Sequence, residues 1–88
     1  MADYSLRWSK QALKELDRLP QKIAERVYDH VTALGKSPRP HGALKLKGRS
    51  DNWRIRVGDY RVLYTIADSV RGVSILAVQH RKDVYRGL

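Results

Sequence analysis

The stretch Trp53-Arg54-Ile55-Arg56-Val57-Gly58-Asp59-Tyr60-Arg61-Val62-Leu63-Tyr64 decides the fold. Trp53, Ile55 and Val57 alternate with Arg54 and Arg56. Beyond the Gly58-Asp59 pair, Tyr60, Val62, Tyr64 and Ile66 alternate with Arg61, Leu63 and Thr65. A period of two is that of a half-buried strand. A dipeptide beginning with glycine suits the type II′ turn that joins two antiparallel strands. With a two-residue loop, Val57 faces Tyr60, Arg56 faces Arg61, Ile55 faces Val62, Arg54 faces Leu63 and Trp53 faces Tyr64. Side chains directly opposite share a face. One face is then apolar and belongs under a core. The other holds Arg54, Arg56 and Arg61 with Leu63 and Thr65.

That second face opposes two arginines directly and sets a third two residues along. Like charges so placed cost a sheet about a few tenths of a kcal/mol or more. The nearest acids, Asp51 and Asp59, fall in expected turns. Converging guanidinium groups suit phosphate oxygens, which they bind bidentately. A solvated face with splayed arginines is the plain alternative.

Working outward, Tyr4, Leu6 and Trp8 alternate with Ser5 and Arg7 and predict a first strand. Ser9 can cap a helix whose apolar positions are Ala12, Leu13, Leu16 and Leu19. Pro20 ends it and can open the next helix at its first position. Ile23, Ala24, Val27, Val31 and Leu34 form a second stripe that Gly35 closes. Helices joined this tightly form an antiparallel hairpin. Residues 36–42, Lys-Ser-Pro-Arg-Pro-His-Gly, make the main loop. Leu44 and Leu46 then alternate with Lys45 and Lys47. A turn lies within Asp68–Gly72, and Val73–Val78 is a nearly continuous apolar strand suited to a sheet centre. Residues 79–88 are polar, with room for a short terminal helix. The expectation is an α+β fold of order β-α-α-β-β-β-β: an antiparallel sheet of four to five strands with the helical hairpin packed on one face.

The 88 residues amount to one domain, 1–88, and 42% hydrophobic content is enough for one modest core. There is no cysteine, so neither a disulfide framework nor a thiolate metal site is possible. His30, His41 and His80 stand far apart without ligand spacing, and neither metal nor cofactor is expected. No apolar run reaches the roughly 20 residues of a membrane span, and no signal-peptide pattern opens the chain. A cytoplasmic location without membrane contact follows as the expectation. Charge is the strongest compositional signal, at +9 with 18 Lys and Arg. Residues 1–35 hold six basic and five acidic groups, whereas residues 36–88 hold twelve and four. A balance that lopsided points to a polyanionic partner, nucleic acid or ribosome.

Further candidates gather around this basic half. Lys45, Lys47 and Arg49 either extend the cationic surface or protect an edge strand. His80 and Arg81 follow the apolar strand directly, where a strand end opens into a cleft. His80 can exchange a proton near neutral pH, or is an ordinary surface histidine. Tyr85 anchors the tail or acts as an acid–base group among cations. Trp8 and Trp53 fit core positions better than base-stacking ones.

Residues 53–64 together with Val-Ser-Ile-Leu-Ala-Val-Gln-His-Arg-Lys-Asp-Val-Tyr-Arg over 73–86 resemble the RelE branch of the RelE/ParE toxin superfamily. Ala-Leu-Lys-Glu-Leu at 12–16, Ser-Pro-Arg-Pro at 37–40 and Leu-Lys-Leu-Lys-Gly at 44–48 agree, so the likeness spans nearly the whole chain. The resemblance implies a small basic endoribonuclease that cuts mRNA in the ribosomal A site and is neutralised by a cognate antitoxin. It implies an active site on the exposed sheet face, completed by a C-terminal tyrosine.

Carried over residue by residue, Arg61 matches the family's phosphate-binding arginine, Arg81 its second catalytic arginine and Tyr85 its tyrosine. Arg54 and Arg56 stand where well-known members carry lysines, and Lys47 where they carry an arginine. Arginine does not give up a proton at working pH. The resemblance therefore leaves Tyr85 as the candidate general base and His80 as the candidate acid, with Arg54 and Arg56 holding the backbone. ParE-type toxins, which inhibit DNA gyrase, share the fold and form the second expectation. A basic RNA-binding domain without catalysis is the third.

Overall fold

The computed structural model describes residues 3–48 and 51–84. Their order is β1 (Ser5–Trp8), α1 (Lys10–Asp17), α2 (Gln21–Leu34), β2 (Leu44–Lys45), β3 (Asn52–Val57), β4 (Tyr60–Ala67), a 3₁₀ turn (Asp68–Val70), β5 (Gly72–His80) and α3 (Arg81–Val84). Gly58 takes φ +61° while Asp59 stays out of the left-handed region, as a type II′ turn demands. All five pairs expected across β3 and β4 form, and Asn52 facing Thr65 adds a sixth.

The five strands lie in the order β1-β5-β4-β3-β2. The sheet is mixed, which corrects the antiparallel expectation: β1 pairs β5 in parallel, from Ser5 facing Gly72 to Trp8 facing Ile75. Antiparallel pairing is imposed by a tight turn between chain neighbours. β1 has no such turn to β5. The helices and the β2–β3–β4 run intervene, and they return β5 in the direction of β1. Strand β5 is interior, as its apolar run suggested, although β4 occupies the middle.

One face of the sheet is covered by α1 and α2. Ala12, Val27, Val31 and Leu34 meet Ile55, Val57, Val62, Tyr64, Ile66, Val73, Ile75 and Val78 there, all buried. Burial of side chains this size stabilises by about 1.5–3 kcal/mol each. Leu13, expected on the apolar stripe of α1, is instead 45% exposed, and Ala12 takes the inward position. Ser9 caps α1 as expected, its hydroxyl accepting the Ala12 N–H at 3.0 Å. Pro20 sits at the cap of α2, one position before the expected one. Gly35 closes α2 by close approach: with φ −63° it is right-handed. Its C=O accepts the Tyr4 N–H at 2.7 Å. A Cβ there would meet the Tyr4 and Thr32 carbonyl oxygens at 3.3 Å.

The loop after α2 is fastened by contacts that its composition did not announce. The buried Tyr64 hydroxyl donates to the Pro38 C=O at 2.8 Å. Burial pushes the Tyr64 phenol up to about 12, with the Arg39 charge pulling the other way. Arg39 lies over the Trp53 ring at 5.3 Å and donates to both oxygens of Asp68, at 2.7 and 3.3 Å. Tyr4 donates its hydroxyl to the same carboxylate at 2.6 Å. The Arg39 guanidinium, and then Tyr4, hold the Asp68 carboxyl below the usual carboxylate range.

Strand β5 carries an irregularity that matters below. Tyr64 faces Ile75, yet Leu63 faces Ala77, so Leu76 is a bulged extra residue. Ahead of the bulge Val73 and Ile75 point into the core. Past it, Val78 does.

Candidate active site on the open face of the sheet

The face away from the helices collects the arginines. Arg56 and Arg61 oppose each other across β3 and β4, and Arg54 opposes Leu63 on the same face. Past the bulge, Arg61 faces Gln79 and Tyr60 faces His80. Arg81 follows at the start of α3, its N–H donating to the Asp59 C=O of the type II′ turn at 2.7 Å. A bond from the β3–β4 turn thus ties the root of α3 beside the arginine pair. Arg56, Arg61, Arg81 and Lys82 line a cleft of about 360 Å³.

Local structure sets each side chain. Arg56 is exposed, and its Nε donates to the Gly58 C=O at 3.0 Å, which aims the guanidinium back along the turn. Arg61 is half-buried. Arg81 and Lys82 are exposed. Four cations around one concavity suit the two non-bridging oxygens and the leaving oxygen of a phosphodiester undergoing displacement. Lys82 was missed in the sequence reading. Its only signal is its place directly after Arg81 at a strand end. It differs from its neighbours in chemistry: an ammonium can release a proton, a guanidinium cannot.

Arg56, Arg61 and Arg81 are therefore brought together, and Arg54 stands two residues up the same face without lining the cleft. His80 is not brought there. Its register partner is Tyr60 on the helix side, and the two rings meet edge to face at 5.1 Å. Its Nδ1 accepts the Lys82 N–H at 3.2 Å, which makes it a cap on α3. The expectation that His80 shares the arginine cleft is corrected by the bulge, which reverses the parity of everything after Leu76. Lys45 takes the second of its two expected places, on an edge strand. It faces Trp53, on the helix side of the edge strand β2, while Leu44 faces Arg54 and is 52% exposed. A two-residue strand at an edge has too little ladder to force its apolar residues inward. Lys47 is exposed in the turn after β2 and does not line the cleft. Arg49 and Tyr85 lie outside the described residues.

With this geometry in place, comparison with known proteins is decisive. Residues 6–85 match the family model described as the ParE toxin of the type II toxin–antitoxin system parDE. Toxin RelG of Mycobacterium tuberculosis is 33% identical over 84 residues, covering 94% of this chain and 97% of that protein.

The chain belongs to the RelE/ParE toxin superfamily.

Its RelE branch is indicated by the solved structures it resembles. The RelE of the archaeal RelE–RelB complex from Pyrococcus horikoshii superposes with a TM-score of 0.81 at 31% identity, covering 90% of this chain and 96% of that one. The toxin–antitoxin complex RelBE2 from Mycobacterium tuberculosis gives 0.80 at 31%, covering 92% and 94%. The chain is thus a type II toxin of the RelE kind, and its α+β fold is the one those toxins share. Among the described residues no helix is long and apolar enough to cross a membrane.

Proposed function

We propose that this RelE-type toxin, acting as one domain over residues 1–88, is a ribosome-dependent endoribonuclease that cuts mRNA in the A site. The observation that carries the reading is the cleft in which Arg56, Arg61, Arg81 and Lys82 converge on one face of the sheet. The ribose 2′-oxygen attacks the adjacent phosphorus and loses its proton to a base. The P–O5′ bond breaks, and the 5′-oxygen takes up a proton. The products are a 2′,3′-cyclic phosphate and a 5′-hydroxyl. This displacement asks for alignment and for positive charge around the developing phosphorane rather than for covalent help from the protein. Arg61 and Arg81 clamp the phosphate, Arg56 stabilises the added charge and Arg54 holds the flanking backbone. Lys82 supplies the proton to the leaving oxygen, a role assigned here in place of His80. Tyr85 is the general base, on the strength of the resemblance alone. The ribosome contributes the message's orientation, so free RNA reacts poorly. No cofactor takes part in this scheme.

A cognate antitoxin is the second partner in the proposal, supported by the RelB-bound state of the similar archaeal and mycobacterial toxins. It is acidic or amphipathic and folds as it binds over the helices and the basic face. Cytoplasmic action follows from the ribosomal target.

The name of the matching family model favours one other reading, a gyrase inhibitor of the ParE kind. Induced expression with primer extension on a reporter message separates the two. Codon-phased cuts, lost in Arg61→Ala, support the ribonuclease. Intact message with gyrase-dependent DNA breaks overturns it.

A further inference from the structure

Glu15 lies on α1, across the sheet from the cleft, and the ribonuclease scheme gives it no task. Its Oε1 nevertheless accepts the Val78 N–H at 2.7 Å, two residues past the bulged Leu76. At the bulged residue itself, the Ser9 hydroxyl donates to the Leu76 C=O at 3.0 Å. These contacts have a common origin. Strand β1 stops pairing at Trp8 opposite Ile75, so β5 beyond Ile75 has no strand along that edge. Backbone groups there lie beneath α1, where an unmet N–H or C=O is costly. The first helix supplies both missing partners, one of them a half-buried carboxylate whose bond to an N–H is charge-assisted.

The bulge decides which side chain enters the cleft. Pairing without it would continue the register set by Tyr64 and Ile75, so that Arg61 would face Val78 and Tyr60 would face Gln79. His80 would then stand on the open face and Arg81 on the helix side. With it, Tyr60 faces His80 and Arg61 faces Gln79. Val78, buried to 3% exposure, favours the bulged register through the core. Glu15 favours it through the backbone.

We propose that Glu15 is a positioning residue: by holding the bulge of β5 it keeps Arg81, and not His80, beside Arg56 and Arg61. This deepens the ribonuclease reading and rests on it.

The test compares full-length parent, Glu15→Gln and Glu15→Ala. Glutamine keeps an acceptor oxygen in place, and alanine removes it. Ser9 is the poorer target because it also caps α1. The first readout is the NMR position of the His80 ring protons, which the Tyr60 ring displaces only in the bulged register. Parent and Glu15→Gln should share it, and Glu15→Ala should move toward the value of free histidine. The second readout is single-turnover cleavage of a ribosome-bound message. Glu15→Ala should be slowed about tenfold and Glu15→Gln less than about twofold. Glu15→Ala combined with Arg81→Ala should be no slower than Arg81→Ala alone, because both act through one side chain. A merely structural role would lower stability and add in full to Arg81→Ala. That additivity, or an unmoved His80 signal in Glu15→Ala, overturns the proposal. Should Glu15→Ala fail to fold, Glu15→Asp, with its acceptor set back by one methylene, replaces it and should fall between parent and loss. A parent that does not cleave at all defeats the ribonuclease reading alone, and the His80 spectrum then decides the role of Glu15.

Discussion

On the helix side of the sheet Val57 faces Tyr60 and Ile55 faces Val62. On the open side, in the same two strands, Arg56 faces Arg61. The first set follows the rule for a stable sheet, apolar against apolar beneath a covering layer. The second set breaks it, because opposed like charges repel. The contrast separates what makes the chain fold from what the fold presents. The helix side shows the residues whose loss unfolds the protein. The open side shows residues that a sheet under no other demand would exchange for neutral or acidic ones.

The largest effect should come from the helix side. Ile75→Ala leaves a cavity at a site with no exposure, and should cost about 3–4 kcal/mol in denaturant unfolding. The open side should respond in the other currency of measurement. Arg61→Ala should slow cleavage about 100-fold, equivalent to about 2.7 kcal/mol of transition-state stabilisation, with the unfolding midpoint unchanged. Equal losses of stability for both variants would break the contrast. Tyr64→Phe leaves the Pro38 C=O without its donor and should cost about 1–2 kcal/mol. The phenol is held up to about 12 in the folded chain against an ordinary 10.0. Its contribution is therefore intact below pH 10 and lost as pH rises toward 12. The parent should weaken through that window in alkaline unfolding, and Tyr64→Phe should not show that component.

Smaller effects sharpen the comparison. Arg56→Thr removes one of two opposed charges and should stabilise by about a few tenths of a kcal/mol while slowing cleavage. A loss of stability larger than the exposed Arg56–Gly58 hydrogen bond accounts for would mean that the pair is not repulsive. Asp68 is the smallest case, being an exposed, salt-screened partner of Arg39. Its depressed carboxyl contributes above the ordinary carboxylate range, and the contribution disappears as pH falls below it. Asp68→Asn should flatten the acid limb of the stability profile slightly, and added salt should do the same to the parent.

The sequence was most legible where alternation and turn chemistry agreed. Gly58 fixed the loop length, the loop length fixed the register, and the facing of Arg56 to Arg61 followed. It was least legible in Val73–Val78. A nearly continuous apolar run carries no period of two, so it cannot show where parity changes. The bulge at Leu76 depends on Ser9 and Glu15, more than sixty residues away in sequence. That distance hid the exclusion of His80 and the arrival of Lys82, while Arg81 stands in the cleft as expected. The parallel direction of β1 was hidden for a related reason: alternation specifies a face and says nothing of direction. The choice between cationic surface and edge protection stayed open for Lys45 because β2 is too short for its pattern to govern which way it faces.

The most direct test of the central claim is single-turnover cleavage on purified ribosomes carrying a defined A-site codon, with parent, Arg61→Ala and Arg81→Ala compared at equal folded fraction. The open-face cleft predicts a 2′,3′-cyclic phosphate end with the parent and about a 100-fold slower reaction with either variant. Parent-like rates in both, at unchanged product chemistry, would contradict it.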